Sequence, residues 1–141
     1  MLDRDLMLAK ADTLERCLAR IAEVRERSAM RALDLQDITV LNLQRAVQAM
    51  IDLAAHVVSR EGLGLPDSLG ANFTSLEHAG VIGADLAEHL RRMTGFRNVA
   101  VHEYRRLDPA VLEGIVRERL ADLRTFAATI VKRAGRPGRE H

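Results

Sequence analysis

Residues 36–67 read QDITVLNLQRAVQAMIDLAAHVVSREGLGLPD, and the architecture follows from them. Val40, Leu41, Val47, Ile51, Ala54 and Val58 fall at helical spacing, which puts apolar side chains on one face of a helix. The pattern predicts a helix from about Gln36 to Glu61, with Asp34 or Asp37 as its cap. Gly62-Leu63-Gly64-Leu65-Pro66-Asp67 stops it, since glycine and proline both oppose helical continuation.

The same periodicity runs outward in both directions. Upstream, Leu6, Leu14, Cys17, Leu18, Ile21 and Val24 predict a helix from about Asp3 to Ala29, with a turn between Ser28 and Asp37. Downstream, a short helix is expected from Asn72 to Ala79, closed by Gly80. Another starts near Ala84 or Asp85, carries Leu86, Leu90, Met93 and Phe96 inward, and ends somewhere between Phe96 and Tyr104. Asp108-Pro109 has the form of an N-cap followed by proline at the first helical position. It opens a last helix to about Val131 that buries Val111, Leu112, Ile115, Leu120, Leu123, Phe126 and Ile130. The expectation is an all-α bundle of four main helices plus a short one. Residues 1–133 form the domain and residues 134–141 a disordered basic tail, which lacks an apolar anchor.

Composition agrees. The 141 residues suit one core, and aromatics at 3% with no Trp leave that core to Leu, Ala, Val, Ile and Met, which favours helices over sheets. A net charge of +1 supplies no global field toward nucleic acid, so any such contact must be local. Only Lys10 and Lys132 among the 21 basic residues are lysine. That bias suits bidentate phosphate contact and equally a GC-rich genome. Cys17 is the only cysteine, which excludes an intrachain disulfide, and its place on an apolar stripe reads as packing. No stretch approaches the ~20 apolar residues of a membrane span, and the charged start MLDRDLMLAK lacks a signal-peptide run, so the expected compartment is the cytoplasm.

The chemistry concentrates in Gly95-Phe96-Arg97-Asn98-Val99-Ala100-Val101-His102-Glu103-Tyr104, where Tyr104 is the only tyrosine. Asn98 and His102 are four apart and share a helical face. Arg97 and His102 are five apart, roughly 140° around a regular helix. Convergence therefore requires the helix to loosen near His102, or a second copy to complete the site. RNA can be cleaved by its own 2′-hydroxyl without metal, given a base, an acid and positive charge at the phosphorus. Histidine, with an ordinary pKa of about 6.5, suits proton transfer. Arginine supplies permanent charge and a phosphate fork. Asn98 is placed to bond the phosphate or orient His102. One histidine cannot readily act as base and acid in one concerted step, and a dimer presenting two His102 side chains resolves this.

Simpler readings stand beside these. A histidine near a helix end can serve the helix dipole, and Tyr104 can cover an apolar patch. Asp52 and His56, four apart, either line the same cleft, where they would orient His102 or bind substrate in support of the site, or satisfy one another. Asp85 and His89 repeat the spacing and read as a solvated pair. The chain has no Glu-x-x-His and one cysteine, so neither a di-iron nor a zinc site is supported, and no cofactor is expected.

The segment from Glu77 to Tyr104, EHAGVIGADLAEHLRRMTGFRNVAVHEY, resembles the signature region of the HepT branch of HEPN proteins, most specifically in Gly-Phe-Arg-Asn and Val-His-x-Tyr. LQRAVQAMIDLAAH, residues 43–56, resembles that branch's second helix, and the likeness spans about residues 1–131. Only the 62–68 loop and the tail depart from the pattern. The resemblance implies the HEPN antiparallel helical bundle and a homodimer with two motifs facing a shared cleft. It implies a toxin subunit with endoribonuclease activity, Arg97 and His102 as the nuclease pair, Asn98 in support, and RNA as substrate. It also implies a cognate antitoxin, a minimal nucleotidyltransferase of the MntA type, that transfers AMP from ATP to Tyr104. Bulk and negative charge there would oppose RNA phosphate. The alternative is a non-catalytic HEPN docking subunit for a nucleotidyltransferase, which would have no need of His102.

Overall fold

In the computed structural model, residues 2–26, 32–102 and 109–135 are described, with the side chains of all but 32, 33, 98–102 and 109. Asp3 opens the first helix, α1 (Arg4–Arg25): its backbone is extended and its carboxylate accepts the Leu6 N–H at 3.0 Å. Such a cap contributes ~1 kcal/mol. Met7, Leu14, Cys17, Leu18, Ile21 and Val24 form the buried face. Met7 takes the core place expected of Leu6, which stays 42% exposed.

α2 (Ala32–Arg60) is the central element and packs against α1, α3, α4 and α6. One apolar stripe would not suffice for that. Val40, Leu43, Ala46, Val47, Met50, Ile51, Leu53, Ala54, Val57 and Val58 are all buried, over much of the helix circumference. Leu41, expected inside, points away from these partners and is 45% exposed. The helix begins ahead of the expected cap. Asp34 lies in its first turn, where the helix dipole favours negative charge, and Asp37 lies within the helix.

The two glycine stops use one device. Gly62 has φ +64, its N–H bonds Ser59 O, and the Leu63 N–H reaches back to Val58 O at 2.9 Å. Gly80, φ +75, repeats this after α3 (Ala71–His78), with Gly80 N–H to Glu77 O and Val81 N–H to Leu76 O. Each is a left-handed cap that satisfies the last carbonyls of its helix and folds the next apolar residue onto the core.

α4 (Ala84–His102) follows, then α5 (Pro109–Glu118) and α6 (Leu120–Ala134). The structure is all-helical among the described residues, as expected, but the last helix is two. Its apolar period is continuous, which is why the sequence reads as one. At Arg119 the backbone departs to φ −111, and the Asp122 N–H bonds Arg119 O three residues back. Arg119 turns its guanidinium toward His89 and Asp122. Val111, expected inside, is 51% exposed, while Leu112 and Val116 carry α5 into the core. α6 runs past Val131 to Ala134, and residues 136–141 of the expected tail lie outside the described residues.

Phe73 and Phe126, both fully buried, meet edge-to-face with centroids 5.7 Å apart and join α3 to α6. Such pairs contribute about 0.5–1.5 kcal/mol beyond area burial. Arg133 grips Glu61 through Nε and Nη2, tying the end of α6 to the end of α2.

Candidate functional site

Arg97, Asn98 and His102 all sit on α4. Buried Met93, Thr94 and Phe96 seat this part of the helix on the core, and Thr94 Oγ1 donates to Leu90 O at 3.0 Å. The Arg97 side chain is half-buried. The helix does not loosen before the histidine: its backbone stays α-helical through His102. Positions 97 and 102 therefore keep their angular separation of roughly 140°, and positions 98 and 102 keep a common face. The side chains of Asn98 and His102, and the whole of Tyr104, lie outside the described residues.

Asp52 is half-buried on α2, with both carboxylate oxygens engaged. Lys10 Nζ donates to Oδ2 and Gln48 Nε2 to Oδ1, each at 2.9 Å. Among the described residues its bonds go to α1 and to its own helix. His56 Nε2 accepts the Asp3 N–H at 3.0 Å, so the imidazole is neutral there with its proton on Nδ1. Burial lowers its pKa and the charge of Arg60 lowers it further, against the opposing pull of Asp3. Asp52 and His56 thus do not satisfy each other; each fastens the N-terminal half of α1. Lys10, one of only two lysines, is the partner that the sequence reading missed.

His89 also departs from expectation. Its Nδ1 lies 3.2 Å from Asp122 Oδ2, and Arg119 Nη1 sits 3.2 and 3.3 Å from the two ring nitrogens. Asp85, its expected partner, is exposed. The cause is the break at Arg119, which brings α6 polar groups against α4. Asp122 Oδ2 is sealed from water without a well-formed hydrogen bond.

A cavity of about 780 Å³ lies at the other landmark of the sequence, the 62–69 loop, lined by Ala55, Val58, Leu65, Pro66, Asp67 and Asn72 among others. Arg97, the one functional side chain of the motif among the described residues, does not line it. Among the described residues no group of three His, Cys, Asp or Glu is placed to hold a metal ion. No described helix is long and apolar enough to cross a membrane.

Residues 12–130 match a family model described as Ribonuclease HepT-like. The chain is 36% identical over 128 residues to a Shewanella oneidensis protein named mRNA nuclease HepT, covering 89% of this chain and 96% of the relative. The tri-AMPylated Shewanella oneidensis HEPN toxin, solved in complex with an MNT antitoxin, superimposes with a TM-score of 0.83 at 35% identity, covering 89% of this chain and 96% of that one. A toxin–antitoxin crystal structure with AMP-PNP gives a TM-score of 0.84 at 34% identity, covering 89% and 97% of the two chains.

Proposed function

The chain belongs to the HepT-like ribonuclease family, and from that premise we propose that it is the toxin of a toxin–antitoxin pair. It acts as a metal-independent endoribonuclease in the cytoplasm and is silenced by AMP transfer to Tyr104. The observation that carries this is the family match over residues 12–130, which contains the whole Arg97-to-Tyr104 motif. The relatives supply both halves of the reading: one is named an mRNA nuclease, and one is solved AMPylated beside its antitoxin.

In the proposed reaction the RNA 2′-oxygen forms a bond to the adjacent phosphorus as the bond to the 5′-oxygen breaks. One His102 takes the 2′-hydroxyl proton, and the His102 of a second copy gives a proton to the departing 5′-oxygen. Arg97 neutralises the charge that gathers on the non-bridging oxygens, and Asn98 bonds the phosphate beside it. A homodimer is favoured because positions 97 and 102 sit far apart around one continuous helix, so a single copy has no evident way to assemble base, acid and cation at one phosphate. Asp52 acts in support, as the strut that fixes α1 against α2.

Silencing is a separate transfer. The Tyr104 hydroxyl attacks the α-phosphorus of ATP in the nucleotidyltransferase antitoxin, pyrophosphate leaves, and the phenolic proton passes to a base of that enzyme. The resulting phosphodiester carries negative charge into a site built for phosphate.

Arg97→Ala tests the cationic role. Removing one preorganised donor to a charged transition state costs about 10²–10³ in kcat. We expect a loss of that size in kcat for a defined RNA oligonucleotide, with the folded state unchanged by circular dichroism. A folded variant with wild-type kcat would remove Arg97 from the mechanism.

A further inference from the structure

Outside the motif, α1 and α2 enclose a second groove of about 410 Å³, lined by Thr13, Arg16, Cys17, Asn42 and Arg45. We propose that this groove is an auxiliary phosphate subsite, which holds a phosphodiester of the RNA strand away from the bond being cut. The inference rests on the ribonuclease reading.

Three observations carry it. Among the described residues, the lining holds two guanidinium groups and no carboxylate. Among the described residues Arg45 makes no ion pair, and the only ion pair of Arg16 is to Asp12, with side chains 74% and 64% exposed. A pair so exposed is worth little and yields readily to a better anion. Finally, the floor of the groove is polar and buried at Asn42. Asn42 is 8% exposed and spends one amide N–H on Ile38 O, leaving the other for a ligand oxygen. Thr13 spends its hydroxyl proton on Ala9 O, so the available donors are the two arginines and Asn42.

The field at the floor fits an anion. Burial raises the Cys17 pKa, and the charges of Arg45 and Arg16 act against that rise, so both cations bear on the same point. A phosphodiester offers two charged oxygens to two forks, the geometry that arginine recognises best. Net charge cannot draw RNA to this protein, so a local cluster of this kind is what electrostatic capture requires. A strand cut at one phosphate necessarily presents others on either side. A second grip also suits a chain whose phenylalanines offer no stacking platform: Phe73 and Phe126 are fully buried and Phe96 nearly so.

The test uses the full chain with Arg16→Ala and Arg45→Ala combined. The probe is a short fluorescent single-stranded 2′-O-methyl RNA, which binds but cannot be cut through its 2′-oxygen. Anisotropy titrations over a salt series should show affinity about tenfold weaker at low salt, with a salt slope reduced by about 0.7 for each phosphate that is no longer neutralised. Arg92→Ala with Arg117→Ala removes the same charge from exposed surface and should leave binding near wild type. Three results would overturn the subsite: wild-type affinity in a folded double variant, an equal loss in the Arg92/Arg117 control, or unchanged RNA binding with weakened antitoxin binding, which would assign the groove to the protein partner. Cleavage of unmodified RNA by the wild type is measured alongside. A wild type that cuts RNA beside a double variant that binds normally removes the groove and keeps the ribonuclease. A wild type that binds without cutting removes the ribonuclease, while the variants still decide the groove.

Discussion

His102→Ala is expected to lower RNA cleavage by at least about 10³-fold and to abolish toxicity on induction in cells. General acid–base catalysis by one positioned side chain is worth about 10²–10⁴. In the proposed dimer one substitution removes both the base and the acid. The fold should survive, because His102 is the last residue of α4 and alanine is the strongest helix former. The check is a paired measurement of single-turnover cleavage and thermal unfolding. A variant that unfolds at the wild-type temperature and still kills would take His102 out of the chemistry.

Tyr104→Phe should separate toxicity from its control. The ring remains, but no hydroxyl is left to attack ATP. Incubated with its nucleotidyltransferase antitoxin and ATP, the variant should gain no AMP by intact mass, and its ribonuclease activity should persist where that of the wild type falls to background. In cells, co-expressed antitoxin should protect against wild type and fail against Tyr104→Phe. AMP appearing on the variant at the same segment, with silencing intact, would mean that another residue is the acceptor.

How much of this was legible in the sequence depended on whether a signal was local. Gly62 and Gly80 stopped their helices as read, because a left-handed cap needs glycine wherever it occurs. Pro109 opened its helix for the same kind of reason. The break at Arg119 was hidden, since apolar spacing continues through it and the departure belongs to a tertiary cluster with His89 and Asp122. Leu41 and Val111 matched a helical period yet face outward, because periodicity marks an apolar stripe without fixing its edges.

The site divides in the same way. Spacing gave Asn98 and His102 a common face if the helix ran on but left its end open between Phe96 and Tyr104, and α4 runs through His102 and carries Arg97, Asn98 and His102. What Asp52 and His56 do could not be read, because their partners, Lys10 and the Asp3 backbone, lie 42 and 53 residues away along the chain. The arginine groove was invisible for the same reason. Arg16 and Arg45 belong to different helices, and only the packing of α1 on α2 brings them to one cavity.

Metal-free RNA cleavage by this chain would show itself in the chemistry of the product ends. Purified wild type, its mass first checked for absence of AMP, is incubated with RNA in EDTA and the fragments are analysed. Cleavage should proceed and leave 2′,3′-cyclic phosphate and 5′-hydroxyl ends. Absence of cleavage by the unmodified protein across varied RNAs, or cleavage that needs added metal and leaves 5′-phosphates, would contradict metal-free cleavage by this chain.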